Sequence, residues 1–124
     1  IYLTAIIILF LLNVCNAARP ATAIKTIFLG VSGSGKTSIA YRFVHDTPLP
    51  PAVTQATIGA AFSTYRARDH FGRTAVLDIT DTAGQERFNA LLPMYTRNAK
   101  VAFFVYDITD QNSFTALQDR IIPK

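Results

Sequence analysis

Gly30-Val31-Ser32-Gly33-Ser34-Gly35-Lys36-Thr37 is the stretch on which the fold turns, because it satisfies G-x-x-x-x-G-K-[ST] and stands between a strand pattern and a helix pattern. Glycines at this spacing let backbone N–H groups converge on phosphate oxygens without Cβ clashes. The helix that follows presents the positive end of its dipole to the same point. Lys36 is placed to reach the β- and γ-phosphates, and the Thr37 hydroxyl to ligate Mg²⁺. Ser32, Gly33, Ser34, Gly35, Lys36, Thr37 and Ser38 are therefore the first candidate nucleotide-binding residues.

Upstream of this loop, Lys25–Leu29 reads as a buried strand, and downstream Lys36–His45 reads as a helix with Ile39, Ala40, Phe43 and Val44 on one side. The stretch Asp46–Thr57 holds Pro48, Pro50 and Pro51 and reads as a loop. Ala61–Arg68 and Thr74–Ile79 follow as two strands around a turn marked by Gly72. Glu86–Asn98 reads as a loop with a helix interrupted by Pro93. Val101–Ile108 is an almost unbroken apolar strand that needs cover on both faces. Ser113 is a plausible N-cap for a last helix through Phe114, Leu117 and Ile121. Strands alternating with helices predict an α/β domain over residues 24–124.

The first 23 residues are of another kind. Ile1–Leu12 is apolar or aromatic apart from Thr4, and no charge precedes Arg19. The run is short for a membrane span, which needs about 18 apolar residues. It reads as a signal-peptide core, with Cys15 and Ala17 before a cleavage point at Ala17/Ala18, or as artefactual material without a role in the folded protein, or as a buried strand or helix. Arg19–Ala23 reads as a linker. The block also raises the apolar share of the 124 residues to 50% against 16% charged. The formal charge of +4 suits an anionic ligand, but no basic run is present to track a nucleic acid, which is not expected as a partner. A single cysteine excludes an internal disulfide framework.

Two further segments point at the same phosphates. Asp81-Thr82-Ala83-Gly84-Gln85-Glu86 follows the strand Thr74–Ile79, which puts a carboxylate at a strand's carboxyl end, where open α/β sheets bind ligands. Asp81 suits the Mg²⁺ shell, Gly84 offers an N–H to the γ-phosphate, and Gln85 is placed to orient an attacking water. Thr57-Ile58-Gly59 offers a hydroxyl for the metal and another N–H.

With these residues in view the chain resembles a small GTPase of the Ras superfamily, and specifically the Rab family. The resemblance rests on Gly30–Ser38, Arg42-Phe43-Val44, Thr57-Ile58-Gly59-Ala60-Ala61-Phe62, Asp81–Arg87, Pro93-Met94-Tyr95 and Val105-Tyr106-Asp107-Ile108-Thr109. Thr-Ile-Gly-Ala-Ala-Phe and Pro-Met-Tyr are most similar to the early-endosomal branch. The resemblance implies a P-loop NTPase fold with a doubly wound, mostly parallel sheet, here incomplete at the C-terminus. It implies a GTP-hydrolysing switch of vesicle and endosomal traffic that binds GTP or GDP with Mg²⁺, acting on the cytosolic face of endosomal membranes. Gln85 and Lys36 would be catalytic, Thr37, Thr57 and indirectly Asp81 would hold the metal, and Phe62 and Tyr95 would face effectors. An exchange factor and a GTPase-activating protein are the other implied partners, and membrane association would need a prenylated tail. The alternative is a non-catalytic, truncated or degenerate fragment without competent nucleotide binding.

Several features depart from that pattern. The segments that read the guanine base would lie beyond Lys124, so the polypeptide alone is expected to bind GTP weakly or not at all. Val101–Ile108 would then be a sheet edge exposing Phe103, Phe104 and Val105. Thr80 stands where Rab proteins usually carry tryptophan before Asp81, which puts recognition by the usual effectors in doubt. Pro48-Leu49-Pro50-Pro51 stands where an aromatic tends to cover the guanine ring. His45 and His70 lack partners at metal-ligand spacing, and Asp107 and Asp110 read as turn or capping residues.

Overall fold

Four short runs rich in β-branched and aromatic residues assemble into one sheet, and a fifth strand joins them from the N-terminal block. The structure is a computed structural model describing residues 5–11, 23–53, 55–68 and 70–121; for 5–11 the course of the backbone is described. In chain order the elements are β1 Ala5–Leu11, β2 Ile24–Leu29, α1 Lys36–His45, β3 Ala60–Arg68, β4 Thr74–Thr82, α2 Leu92–Thr96, β5 Val101–Asp107 and α3 Gln111–Ala116. The sheet order is β1-β5-β2-β4-β3. β2 lies parallel to both β4 and β5, while β1 and β3 pair antiparallel on the flanks. The centre is the expected doubly wound parallel arrangement, and antiparallel strands close it on either side.

Each face of that centre carries its own core. Phe28, Ile79 and Val105 pack with Ala40 of α1 on one face. Ile27, Leu29 and Phe104 pack with Leu117, Leu92 and Ile121 on the other. Alternate β2 residues serve opposite faces, as the period of two requires. Ile27 and Val105 are fully buried, and each contributes roughly 1.5–3 kcal/mol relative to exposure.

Val101–Ile108 is not the bare edge expected. β1 runs antiparallel along it from Ala5 opposite Asp107 to Leu11 opposite Val101. Phe104 and Val105 are buried, and Phe103 stacks on Phe28 at 4.7 Å between ring centroids. Physically, the backbone donors and acceptors of an apolar edge strand find partners in a second apolar strand. Cys15, the Ala17/Ala18 point and most of the Arg19–Ala23 linker lie outside the described residues.

Three local expectations are corrected. β4 continues to Thr82, so Asp81 belongs to the strand and does not follow it. Pro93 does not interrupt a helix: a 3-10 turn over Glu86–Leu91 precedes α2, in which Pro93 is the second residue. The first turn has no use for the missing N–H, and the ring presets φ. Finally, Asp110 caps α3 by accepting from the Asn112 N–H at 3.0 Å. Ser113 is buried and ties the helix to β5, donating to the Asp110 carbonyl at 2.8 Å and accepting from the Asp107 N–H at 3.0 Å.

Candidate functional site

The loop from β2 to α1 closes over the sheet at a point no other residue type fits. A Cβ on Gly30 would lie 2.2 Å from the Val105 carbonyl oxygen. The loop's floor is therefore backbone packed on backbone. Gly35 precedes α1 at φ 96° and no side chain caps the helix, so the N–H groups of its first turn are left for another acceptor. An uncapped helix N-terminus without an acidic residue in its first turn is an anion site by construction.

Around this N-terminus lies a cleft of about 190 Å³ lined by Ser32, Gly33, Gly35, Lys36, Thr37 and Ser38 of the loop and helix, and by Thr57, Gly84 and Gln85 from the two facing segments. Three oxygens meet at its base. Thr37 Oγ1 donates to Asp81 Oδ2 at 2.6 Å and lies 2.9 Å from Thr57 Oγ1, which is itself 3.5 Å from the same carboxylate oxygen. The other carboxylate oxygen of Asp81, Oδ1, is buried and has no hydrogen-bond partner. A buried orphan acceptor beside two hydroxyls is an all-oxygen donor set, and such a set fits a small hard cation such as Mg²⁺. Among the described residues, no cluster of three His, Cys, Asp or Glu side chains offers a different metal site. Both histidines are exposed, beside Tyr41 and Phe71 respectively.

The two charged groups of the cleft are held away from water. Burial lowers the Lys36 ammonium from 10.5 to about 8, partly opposed by the Asp81 carboxylate. Burial also raises Asp81 above the usual carboxylate range, against the Thr37 hydrogen bond, the Lys36 charge and Thr57. Each charge costs free energy where it sits, and an anion and a cation bound between them would offset both costs.

In the structure the loop's polar groups are engaged internally. Lys36 Nζ donates to the Val31 carbonyl at 2.8 Å, and the Ser32 N–H donates to the Gly84 carbonyl at 3.0 Å. Gly84 thus presents its carbonyl to Ser32. A Cβ there would lie 2.3 Å from the Ser32 nitrogen and 2.5 Å from Lys36 Nζ, so this approach is open to glycine alone. The Ser34 hydroxyl is turned away from the cleft to the Val31 carbonyl at 2.9 Å. Phe62 and Tyr95 lie outside the cleft with ring centroids 6.3 Å apart, Phe62 exposed and Tyr95 half-buried against the core.

Leu49, Gln55, Ala56 and Thr82 also line the cleft and were not among the residues singled out for it. Leu49 is half-buried within an otherwise exposed proline-rich loop. No motif spacing marks these positions, and only the path of the loop brings them in. Asp107 and Asp110 act locally as expected. Asp107 accepts from the Thr109 hydroxyl and N–H at 2.7 and 2.8 Å, which holds its carboxyl below the usual range.

A phosphate-cradling loop between a parallel strand and an uncapped helix, facing a buried Asp/Thr/Thr oxygen set, defines a P-loop nucleotide-binding domain. The Ras family pattern matches residues 25–123, and the chain belongs to that family, as a small GTPase of Rab type. It is similar to the GTP-binding protein YPT53 of Saccharomyces cerevisiae (strain ATCC 204508 / S288c), 48% identical over 105 residues. The aligned part is 84% of this chain and 46% of that protein, so the chain spans about half the length of its curated relative. Among the described residues no helix is long and apolar enough to cross a membrane.

Proposed function

We propose that this chain is the phosphate-binding and catalytic portion of a Rab-type switch that binds GTP or GDP with Mg²⁺, hydrolyses GTP, and serves vesicle traffic at the cytosolic face of endosomal membranes. The observation that carries the reading is the convergence of Thr37, Thr57 and the orphaned Asp81 carboxylate below the uncapped start of α1. The α1 N–H groups and Lys36 bind the β- and γ-phosphates and stabilise the charge that develops on them. Thr37 and Thr57 offer hydroxyl ligands for Mg²⁺, with Asp81 orienting them, and the ion when bound supplies charge neutralisation at the phosphates. Gln85, at the rim of the cleft, positions the attacking water. Thr57 and Gly84 stand on the two loops that contact the γ-phosphate, so losing that phosphate releases both. Phe62 and Tyr95 then report the state to effectors, while an exchange factor and a GTPase-activating protein set its lifetime.

Gln85→Leu in a chain extended to carry the guanine-reading segments tests the assignment. Hydrolysis should slow by on the order of a hundredfold while nucleotide affinity holds. Unchanged hydrolysis removes Gln85 from the role.

One observation favours a second reading, a fragment without competent nucleotide binding: the Ser32 N–H and Lys36 Nζ are satisfied by the chain's own carbonyls. Titration of the 124-residue chain with GTP and Mg²⁺ separates the two, since tight, base-selective binding excludes the fragment reading.

A further inference from the structure

The end of the sheet away from the phosphate loop is a second charged pole. β2, β4 and β5 all start there, and β3, nine residues long, runs about 26 Å from the cleft end to reach it at Arg68. Pairing with β2 begins only at Leu77, opposite Ile24. The hairpin of β3 and β4 therefore runs on past the start of β2 for three register rows, from Arg66 and Val76 to Arg68 and Thr74. Roughly 10 Å of two-stranded ribbon projects before the turn is reached.

At the tip Gly72 takes φ 80°, and Phe71 before it is 72% exposed. The His70 ring centroid lies 3.9 Å and the Arg73 Cζ 5.3 Å from the centre of the Phe71 ring, contacts that orient the ring and leave most of it uncovered. The charge around it is one-sided. Arg66, Arg68 and Arg73 are exposed on the projecting part, and Arg97 and Lys100 are exposed at the same end of the sheet, just ahead of β5. Between Asp46 and Asp78 the sequence holds one acidic residue, Asp69. Asp46 is itself paired with Arg42 at 3.4 Å, and Asp78 accepts from Thr64 at 3.2 Å. Asp81, Asp107 and Asp110 stand at the opposite pole, at or just past the carboxyl ends of β4 and β5.

We propose that this hairpin tip docks the chain on an anionic lipid surface, with Phe71 entering the boundary between headgroups and acyl chains and Arg66, Arg68 and Arg73 lying among the headgroups. Shape decides between a bilayer and an acidic protein. The projecting end of a ribbon has no concavity in which to enclose a partner's side chain, and enclosed pockets are where protein interfaces concentrate their energy. A bilayer boundary closes around an inserted apolar side chain without a preformed pocket. Cations within a Debye length of anionic headgroups add attraction, and the ring adds buried apolar area, so the tip combines the two signals that stable peripheral binding takes. With the tip in the membrane, the cleft at the far end of β3 and β4 stays open to water. The docking needs no nucleotide and goes beyond the switch reading.

The chain contains no tryptophan, so Phe71→Trp places a single reporter at the tip. This variant is titrated with vesicles of phosphatidylcholine containing about one third phosphatidylserine, and with vesicles of phosphatidylcholine alone. A blue shift and shielding from a water-soluble quencher are expected with the anionic vesicles only, and both should vanish near about 1 M salt. In co-sedimentation of the 124-residue chain, Phe71→Ala should weaken binding by about tenfold. Arg66→Glu combined with Arg68→Glu should weaken it by about twentyfold or more. All three positions are exposed, so these variants keep the fold. Equal binding to both vesicles, which the apolar block of residues 1–12 would give by itself, overturns the proposal. So does an unshifted emission from Phe71→Trp while the chain sediments, or capture by soluble polyglutamate without vesicle binding, the mark of a protein partner. GTP binding is measured on the same samples: its absence with vesicle binding intact counts against the switch reading alone, and its presence without vesicle binding against the docking alone.

Discussion

Lys36 and Asp81 show what single residues contribute to this site and what they cost. Lowering an ammonium from 10.5 to about 8 corresponds to roughly 3 kcal/mol of cost for its charged form. Lys36→Met should therefore stabilise the ligand-free chain at pH 7 by an amount of that order while eliminating triphosphate binding. Denaturant titration beside a binding isotherm checks both halves, and a destabilised Lys36→Met chain would contradict the first. The same group sets two opposing pH trends. With its folded value lowered, its stability contribution is lost as pH falls through about 8, so the empty chain gains stability from this group between about 8 and 10.5. Triphosphate affinity should fall over pH 7 to 9 as the cation loses its proton, and the two curves, measured on one preparation, should cross in sense. Lys36, Thr37, Thr57, Asp81 and Gln85 were legible in the sequence because phosphate chemistry restricts both residue type and spacing. Leu49, Gln55 and Thr82 were not, since a hydrophobe, an amide and a second strand hydroxyl enter the cleft through tertiary geometry that no local pattern encodes.

At the scale of elements, the loop and the helix caps decide how firmly the site is held. Gly30 lets the loop rest on the β5 backbone, and an added Cβ at 2.2 Å from a carbonyl oxygen has no flexible side chain to push aside. Gly30→Ala should cost about 2–3 kcal/mol, read as a fall in denaturation midpoint, because β5 and the loop must separate. Asp110→Ala removes the α3 cap and should cost about 1 kcal/mol, whereas substitution by Asn should be nearly neutral. Equal losses for both Asp110 variants would point to a role other than capping. The pattern of strands and helices located most elements because alternation and turn residues are local signals. The last turns were misread for local reasons as well: Asp110 and Ser113 are both good caps by type, and only packing buries one of them. Pro93 breaks a helix or begins one, depending on where the preceding turn ends.

At the scale of the whole sheet, the open question in the sequence was what lies beside Val101–Asp107. An apolar run without charges is compatible with a leader core or a buried strand, and nothing in its own residues names a pairing partner, so the register of Ala5–Leu11 on β5 was not readable from the sequence. In the structure the two strands match over seven residue pairs, from Ala5 and Asp107 to Leu11 and Val101. β5 in turn supports the phosphate loop at Gly30, which links the far edge of the sheet to the cleft through one strand. Successive N–H groups of β5 point alternately to β2 and to β1. Removing residues 1–11 should therefore speed amide exchange at every second position of 101–104 and leave the intervening amides, which face β2, protected. Unpaired β5 groups on an apolar strand should also make the shortened chain associate at lower concentration, visible by light scattering. Uniform protection across 101–104 after the deletion would mean that the edge does not depend on β1, and that its burial comes from the two cores alone.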